Sequence, residues 1–317
     1  RKHEPRTTGV LNDMARPDPS TPLRSLLFTP GSNEKMLAKA PHSGADAALF
    51  DLEDSVAPDM KKGARPMVAQ AMKETAATEG GPPVITVRVN DTTTGLLEGD
   101  LEAIAIPELD AIKLAMTNSA ADIRTADAIL TRLENERGLE PESIGIIALI
   151  ETALGLYNCF DICKAASRVV GIGIGSAEGG DMSNDLGCEY RPDGQTLLYV
   201  RSKALADSRA AGVPFPTDGP FTRFKDPDAC RADAIHAREL GYVGKAAIHP
   251  NQVEILNEVF SPDPERVAYL REMIDVYYEA ERAGAGAVSF QGRMIDIAMV
   301  KDGERVIAFA DNIAKRG

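Results

Sequence analysis

Hydrophobic residues in this chain cluster in short runs that alternate with amphipathic stretches. The clearest runs are residues 144–150 and 169–175, which contain only aliphatic residues and glycine. Strands that are buried on both faces have this composition, and they occur mainly in parallel sheets. The pattern therefore predicts an α/β protein with a parallel sheet.

Eight such strands are predicted along the chain, with helices of amphipathic spacing between most of them. The strands are residues 24–30, 45–54, 83–90, 109–116, 144–151, 169–175, 213–216 and 244–250. The helices are residues 32–40, starting from a serine cap, and residues 61–77, 120–137, 152–166, 195–211 and 228–240. Eight strand-helix repeats with short links predict a closed (β/α)₈ TIM barrel, with a turn at residues 217–220 after the seventh strand.

The predicted barrel leaves residues at both ends of the chain. We expect a flexible N-terminal tail over residues 1–22 and a TIM-barrel catalytic domain over residues 23–250. Residues 251–317 are too many for a last barrel helix and predict a C-terminal helical extension, with an amphipathic helix at 264–283 and a final helix. Such an extension either covers its own barrel or contacts a neighbouring subunit.

Charge and composition narrow the classes of partner. The chain has 317 residues and a formal net charge of −13, so nucleic acid and anionic membranes are not expected as main partners. It contains neither an apolar run long enough to span a membrane nor a recognisable signal peptide, which predicts a soluble cytoplasmic protein. The four cysteines lack zinc-site spacing, and disulfides are not expected.

Charged residues at predicted strand ends indicate a reaction site, because the carboxyl ends of barrel strands converge on one mouth. Carboxylates from neighbouring strands suit Mg²⁺, and the candidates are Glu151 with either Glu178 or Asp181. Arg88 offers a planar fork for a substrate carboxylate. A metal and a guanidinium together can hold a 2-oxo acid and polarise its oxygen, which aldol or Claisen cleavage requires.

Several of these residues also fit plainer roles. Glu151 fits a helix cap, Asp51 fits a structural acid, and Arg88 fits an ion pair with one of the acids. Lys113, inside the fourth strand, fits the Schiff-base amine of a metal-free aldolase. The glycines in residues 171–175 do not complete the dinucleotide-binding motif.

A series of motifs in this sequence resembles a known family. In chain order they are RSLLFTPGSNEKMLAKA, ADAALFDLEDSVAPDMKKGAR, VRVN, ALIETALG, the acidic loop ending DLG, DGPFTRF, GKAAIHPNQV and GRMIDIA. They resemble the citrate lyase β-subunit-like enzymes of the HpcH/HpaI aldolase superfamily, with malyl-CoA and citramalyl-CoA lyases most similar. The resemblance runs from about residue 24 to residue 298.

The resemblance implies a TIM barrel, usually trimeric, that uses Mg²⁺ and an acyl-CoA thioester. Cleavage would release acetyl-CoA and a small 2-oxo acid such as glyoxylate, pyruvate or oxaloacetate. By position, Glu151 and Asp181 resemble the metal ligands and Arg88 the residue that binds the oxo-acid carboxylate. The residues at family positions that contact the thioester are Phe28, Thr29, Lys39, Ile248 and His249.

Three further acids take catalytic roles by the same resemblance. Glu53 and Asp54 resemble acids that order metal-bound water. Asp296 resembles an acid delivered from a neighbouring subunit's C-terminal segment, suited to protonating the acetyl-CoA enolate or to removing its proton in the reverse direction.

The sequence departs from the family pattern at two places. The acidic loop usually reads G-A-E-D, but here Gly179 and Gly180 separate Glu178 from Asp181, and the spacing of the DLG tail favours Asp181 as ligand. The fourth strand usually ends Pro-Lys, but here it ends Ala115-Met116, so a basic group is missing. Two other functions stay open: a citrate lyase β-subunit that acts on citryl held by a carrier protein, and a barrel that binds CoA or an oxo acid without turnover.

Overall fold

Eight parallel strands form a closed barrel in which each strand pairs with the next along the chain. A computed structural model describes residues 20–78 and 83–316 of the chain. Strand β1 pairs with β8, with Ser25 opposite Lys245, and this pairing closes the ring. The TIM-barrel prediction is confirmed. The strands are β1 Ser25–Pro30, β2 Ala47–Asp51, β3 Val84–Val89, β4 Ala111–Leu114, β5 Gly145–Ile150, β6 Val169–Ile174, β7 Phe215–Asp218 and β8 Gly244–Ala247.

Two hydrophobic clusters hold the barrel together. The inner cluster fills the lower lumen and includes Leu26, Leu49, Ile147 and Phe215. The outer cluster lies between the strands and the surrounding helices, where the alternate residues of each strand point. Because both faces of every strand are covered, the strands contain few polar residues, and those few stand out.

The helices that surround the barrel mostly match the predicted ones. In α9 the Asp226 side chain accepts a hydrogen bond from the Ala229 amide, and Pro227 takes the first helical position. The helices of this part of the chain are α1 Glu34–Leu37, α2 Lys61–Ala76, α3 Leu97–Ile104, α4 Ala120–Arg137, α5 Ala153–Tyr157, α6 Cys159–Cys163, α7 Asp181–Leu186, α8 Leu198–Ala211, α9 Pro227–Leu240 and α10 Val253–Phe260.

The structure corrects the predicted seventh strand. It was expected at residues 213–216 and a turn at 217–220, but β7 covers Phe215–Asp218. The acid and the prolines suggested a turn. Asp218 instead lies buried in the strand because Lys245 Nζ donates to its Oδ2 at 2.6 Å and Arg201 pairs with it at 3.1 Å.

Two predicted helices also differ in detail. The first is much shorter than residues 32–40, and its cap is Asn33, whose Oδ1 accepts from the Met36 amide, rather than the serine. The helix predicted at 152–166 is two helices, α5 and α6, that meet at Asn158. Helices α3, α7 and α10 were not predicted, and α7 lies in the segment expected to be an acidic loop.

The remaining described residues, 20–22 and 261–316, form a second compact unit. It contains α11 Pro264–Arg282, a hairpin of β9 Val288–Phe290 and β10 Arg293–Ile295, and α12 Ile297–Arg316. Met273, Tyr277 and Val300 lie in its core. The first unit ends at Phe260, whereas the end of the barrel domain was predicted at residue 250.

The predicted N-terminal tail is described only at its end. Residues 1–19 lie outside the described part of the chain. Ser20 belongs to the second unit, where Asn312 Nδ2 donates to its Oγ at 2.6 Å. In the part of the chain that the structure describes, no helix is long and apolar enough to cross a membrane.

Closure of the barrel depends on a glycine at the start of β8. A Cβ built on Gly244 would lie 1.7 Å from the Leu23 carbonyl oxygen, so no side chain fits there. Gly244→Ala is expected to destabilise the protein by about 3 kcal/mol, because backbone must move to relieve the contact. The measurement is urea unfolding followed by circular dichroism.

Gly63→Ala in α2 is the matched control, since nothing lies within 4 Å of its added Cβ. A helical alanine there should stabilise the protein by about 0.5–1 kcal/mol. Equal stabilities for the two variants would contradict the role given to Gly244.

Candidate active site

Arg88 is the charged residue around which the mouth of the barrel is organised. Its guanidinium forms a two-bond ion pair with Asp51, both bonds being 2.7 Å long, and its Nη1 lies 2.9 Å from Glu53 Oε2. Asp54 lies at 3.6 Å. These residues meet because Arg88 and Asp51 are paired in register on β3 and β2, and the other two acids follow β2 directly. The structure therefore brings Arg88 together with all three acids predicted after strand two.

The two buried acids next to Arg88 have pKa values shifted in opposite directions. Burial alone would raise the pKa of Asp51, but its bonds to Arg88 lower it below the usual range. Burial, with a smaller effect from neighbouring Asp54, raises the pKa of Glu53 to about 8 despite the Arg88 contact. We attribute the difference to Asp51, which already balances most of the Arg88 charge. Glu53 can therefore hold a proton near neutral pH.

Glu151 lies at the end of β5, and its side chain is buried in the mouth. Its Oε2 accepts a hydrogen bond of 3.1 Å from the amide of Met116, a residue with φ of 46° at the turn after β4. Burial raises the pKa of Glu151 to about 7, and the charge of Asp181 adds to this. Among the described residues, no cationic side chain lies within 4.0 Å of Glu151. Its carboxylate is thus a desolvated negative charge without a direct positive partner.

The two acids of the loop after β6 have different surroundings. Glu178 forms a two-bond ion pair with Arg223, at 2.7 and 2.8 Å, and these bonds lower its pKa. Asp181 begins α7, a helix fixed to the neighbouring strand end by Asp185, whose Oδ2 accepts from the Ala153 amide at 2.7 Å. The geometry thus commits Glu178 to Arg223 and leaves Asp181 as the loop acid whose charge acts on Glu151.

The glycines of β6 leave room for the side chains opposite them. A Cβ on Gly171 would lie 3.2 Å from Ile147, one on Gly173 2.6 Å from Lys113 Cε, and one on Gly175 3.0 Å from Glu151 Cγ. Residues two apart in a strand lie on the same face, so the spacing of these glycines follows from the strand and does not indicate a dinucleotide motif.

Residues 24–250 match the family model described as HpcH/HpaI aldolase/citrate lyase. The chain belongs to this family. It is 33% identical over 288 residues to the citrate lyase subunit beta of Leuconostoc mesenteroides subsp. cremoris, covering 91% of this chain and 93% of the relative. It is 36% identical over 293 residues to the (3S)-malyl-CoA thioesterase of Cereibacter sphaeroides, with coverages of 92% and 96%.

A solved structure extends the likeness to three dimensions. The protein CitE of Mycobacterium tuberculosis, in complex with magnesium, acetoacetate and coenzyme A, is 26% identical to this chain with a TM-score of 0.69. The match covers 90% of this chain and 97% of CitE. Membership of the HpcH/HpaI family places the chain among carbon-carbon lyases.

The family resemblance assigned thioester contacts to five residues, which lie in β1, after α1 or after β8. Phe28 and Thr29 lie in β1, and Ile248 and His249 follow β8, the strand next to it. His249 is stacked on Phe224, with ring centroids 4.8 Å apart. Lys39 is exposed after α1. The structure thus puts four of the five predicted contacts on two adjacent strand ends.

Asp296 lies in the second compact unit, between β10 and α12. Its Oδ1 accepts hydrogen bonds from the amides of Ala298 and Met299, at 3.0 and 3.1 Å. The side chain is exposed there. Within its own unit it therefore caps the last helix.

The polar residues that fix the acidic loop were not predicted from the sequence. Ser176 Oγ donates to Asp218 Oδ1 at 2.7 Å, and the Gly219 amide donates to Ser176. Asp218 in turn is held by Lys245 and Arg201, which also pair with Asp233. No local signal marks this network, because its members come from separate strands and helices. These residues position the loop that carries Asp181.

The carboxylates at the mouth suit a hard divalent cation. The described residues contain no cluster of three or more histidine, cysteine or acidic side chains that could hold a metal by itself. Mg²⁺ usually takes one or two carboxylates and completes its shell with water and substrate oxygens. Glu151 fits such a ligand, because it is a buried acid with a raised pKa and no direct cationic partner.

Replacement of Glu53 should change how stability depends on pH. Folded Glu53 keeps its proton up to about pH 8, whereas the unfolded chain releases it near pH 4.5. Between these values the folded state binds more protons, so its stability falls as pH rises, by at most about 1.4 kcal/mol per pH unit. Glu53→Gln removes this loss, so its stability relative to wild type should increase from pH 5 to pH 8. Urea titrations in EDTA measure the difference.

Glu178→Gln is the control for this experiment. Because Arg223 lowers the pKa of Glu178, that group is ionised over the same range in both states and should add no slope. A Glu53→Gln curve parallel to wild type would show that Glu53 is ionised in the folded protein.

Proposed function

We propose that the chain is an Mg²⁺-dependent lyase that cleaves or forms a carbon-carbon bond in an acyl-CoA thioester of the malyl-CoA or citramalyl-CoA type. The products of cleavage would be acetyl-CoA and a 2-oxo acid. The observation that carries the proposal is the buried Glu151 carboxylate, influenced by Asp181 and lying in the same mouth as Arg88. CitE, a structural relative, binds magnesium, coenzyme A and an oxo acid.

The roles follow from the surroundings of each residue. Glu151 and Asp181 would hold Mg²⁺, which when bound polarises a carbonyl or alkoxide oxygen. Arg88 keeps N–H groups beyond those bonded to Asp51 and Glu53, and they would bind the oxo-acid carboxylate. Glu53, with its raised pKa, would hold a proton beside that carboxylate, and Asp54 would help to order water.

Glu151→Gln tests the metal site. It keeps the shape of the side chain but removes the charge, so Mg²⁺-dependent cleavage of malyl-CoA or citramalyl-CoA should fall at least about 100-fold. The assay measures acetyl-CoA and oxo acid, with and without EDTA. Glu178→Gln is the matched control and should keep most of the activity, because Glu178 is bonded to Arg223. If wild type yields no cleavage under any metal condition, the proposal fails.

The same assay separates the competing functions. The likeness to citrate lyase subunit beta favours citryl bound to a carrier protein as a second candidate substrate, and activity only with that carrier would establish it. Hydrolysis alone would release free CoA and an intact hydroxy acid, as the name of the thioesterase relative describes. A barrel that only binds ligands would show thermal stabilisation without products.

The position of Asp296 leads to a separate test of subunit sharing. We propose that Asp296 of a neighbouring copy in a homotrimer completes the site as the proton donor or acceptor for acetyl-CoA. Asp296→Asn should then lower cleavage by about 10²–10⁴-fold. Mixing it with Glu151→Gln under conditions of subunit exchange should restore activity, since some sites receive one intact residue of each kind. No restoration, with exchange verified by mass spectrometry, would argue against a shared site.

A further inference from the structure

Lys113 is a buried lysine in the wall of the barrel, directly beside Arg88. It lies in β4, in register with Arg88 on β3, and only 2% of the residue is exposed. Its Nζ is 5.5 Å from the centre of the Phe28 ring, and the Arg88 guanidinium carbon is 4.9 Å from the same centre. Both cations thus lie over the ring of Phe28.

The ammonium of Lys113 has no anionic partner within the described residues. No carboxylate oxygen lies within 4.0 Å of it, and it donates no hydrogen bond. The other fully buried lysine, Lys245, is a structural cation and is paired with two carboxylates. Its Nζ contacts Asp218 at 2.6 Å and Asp233 at 2.7 Å. A buried unpaired charge lowers stability, so Lys113 is not explained by a role in folding.

Space for Lys113 is built into the opposite strand. A Cβ on Gly173 would lie 2.6 Å from Lys113 Cε and 2.9 Å from its Nζ. Glycine at this position therefore allows an extended lysine inside the barrel, where alanine would displace it. Two strands thus contribute to the placement of one amine.

The charge balance at the mouth favours Lys113 as an anion site. Arg88 is already neutralised by its ion pair with Asp51, and Asp54 lies 3.6 Å from it. Lys113 contacts no carboxylate. Burial and Arg88 lower its pKa to about 8, although the charges of Glu151, Asp51 and Asp218 act against this, so the amine is still mainly charged at neutral pH. An anion placed between them would therefore gain most of its attraction from Lys113.

We propose that Lys113 binds the carboxylate of the oxo acid beside Arg88, and so replaces the basic group absent from the end of strand four. The inference rests on the proposed function in one respect, namely that the anion is a 2-oxo acid. Lys113 precedes Met116 by three residues, so it lies within the barrel wall and not at its rim.

Lys113→Met tests this assignment, with pyruvate as the probe and calorimetric titration in Mg²⁺ as the measurement. Loss of one charged hydrogen bond should weaken pyruvate binding about 10- to 100-fold. The same variant should raise the melting temperature of the ligand-free protein, because it removes an unpaired buried charge. A residue with a merely structural role would not give this combination of a weaker site and a more stable fold.

Two more variants complete the experiment. Gly173→Ala keeps the charge but displaces Nζ, and it should also weaken pyruvate binding. Lys73→Met, an exposed lysine of α2, is the matched control and should change neither affinity nor melting temperature. In cleavage assays, Lys113→Met should raise KM for the thioester more than it lowers kcat.

Pyruvate affinity of Lys113→Met within twofold of wild type would overturn the assignment. So would borohydride reduction of the pyruvate complex if it attached pyruvate to Lys113, because that product requires an imine instead of an ionic contact. Binding of pyruvate is measured without turnover. If the protein proves not to be a lyase, the role of Lys113 can therefore still be tested. If it is a lyase but Lys113→Met binds pyruvate as the wild type does, only the role of Lys113 is refuted.

Discussion

The ion pair between Arg88 and Asp51 is the interaction on which the mouth of the barrel depends. Both residues are buried, and their strands hold them in register. A buried guanidinium without a carboxylate would cost several kcal/mol, so the pair fixes the direction of Arg88 and leaves part of its fork for a ligand. Burial raises the pKa of Glu53 even though its carboxyl contacts the Arg88 guanidinium, whose charge acts against that rise.

A second set of buried charges supports the site from outside the lumen. Asp218 and Lys245 point from β7 and β8 towards the helices, where Arg201 and Asp233 complete the cluster. Through Ser176, this cluster holds the base of the loop that carries Asp181. The barrel thus has charged residues on both faces of its wall, one set lining the mouth and the other holding a loop.

Much of the fold could be predicted from the sequence, because each buried strand is a local pattern. Strands β5 and β6 could be predicted from their hydrophobic runs without tertiary information, and the acids after these runs predicted the position of the mouth. Strand β7 was misplaced because its Asp218 is neutralised by residues of other elements. Spacing favoured Asp181 over Glu178 as the metal ligand, but the ion pair that engages Glu178 could not be predicted, because its partner Arg223 is 45 residues away. Lys113 was visible as a lysine in a strand, but its lack of a partner is a property of the folded barrel.

The glycines of β6 give the lumen an asymmetric cross-section. At three successive inward positions this strand presents bare peptide groups, while side chains project from β3, β4 and β5. The side chains of Ile147, Lys113 and Glu151 occupy the space that side chains on β6 would otherwise fill. A larger residue at any of these three positions would displace its neighbour, so β6 sets where an amine and a carboxylate of the mouth can lie without contributing a functional group of its own.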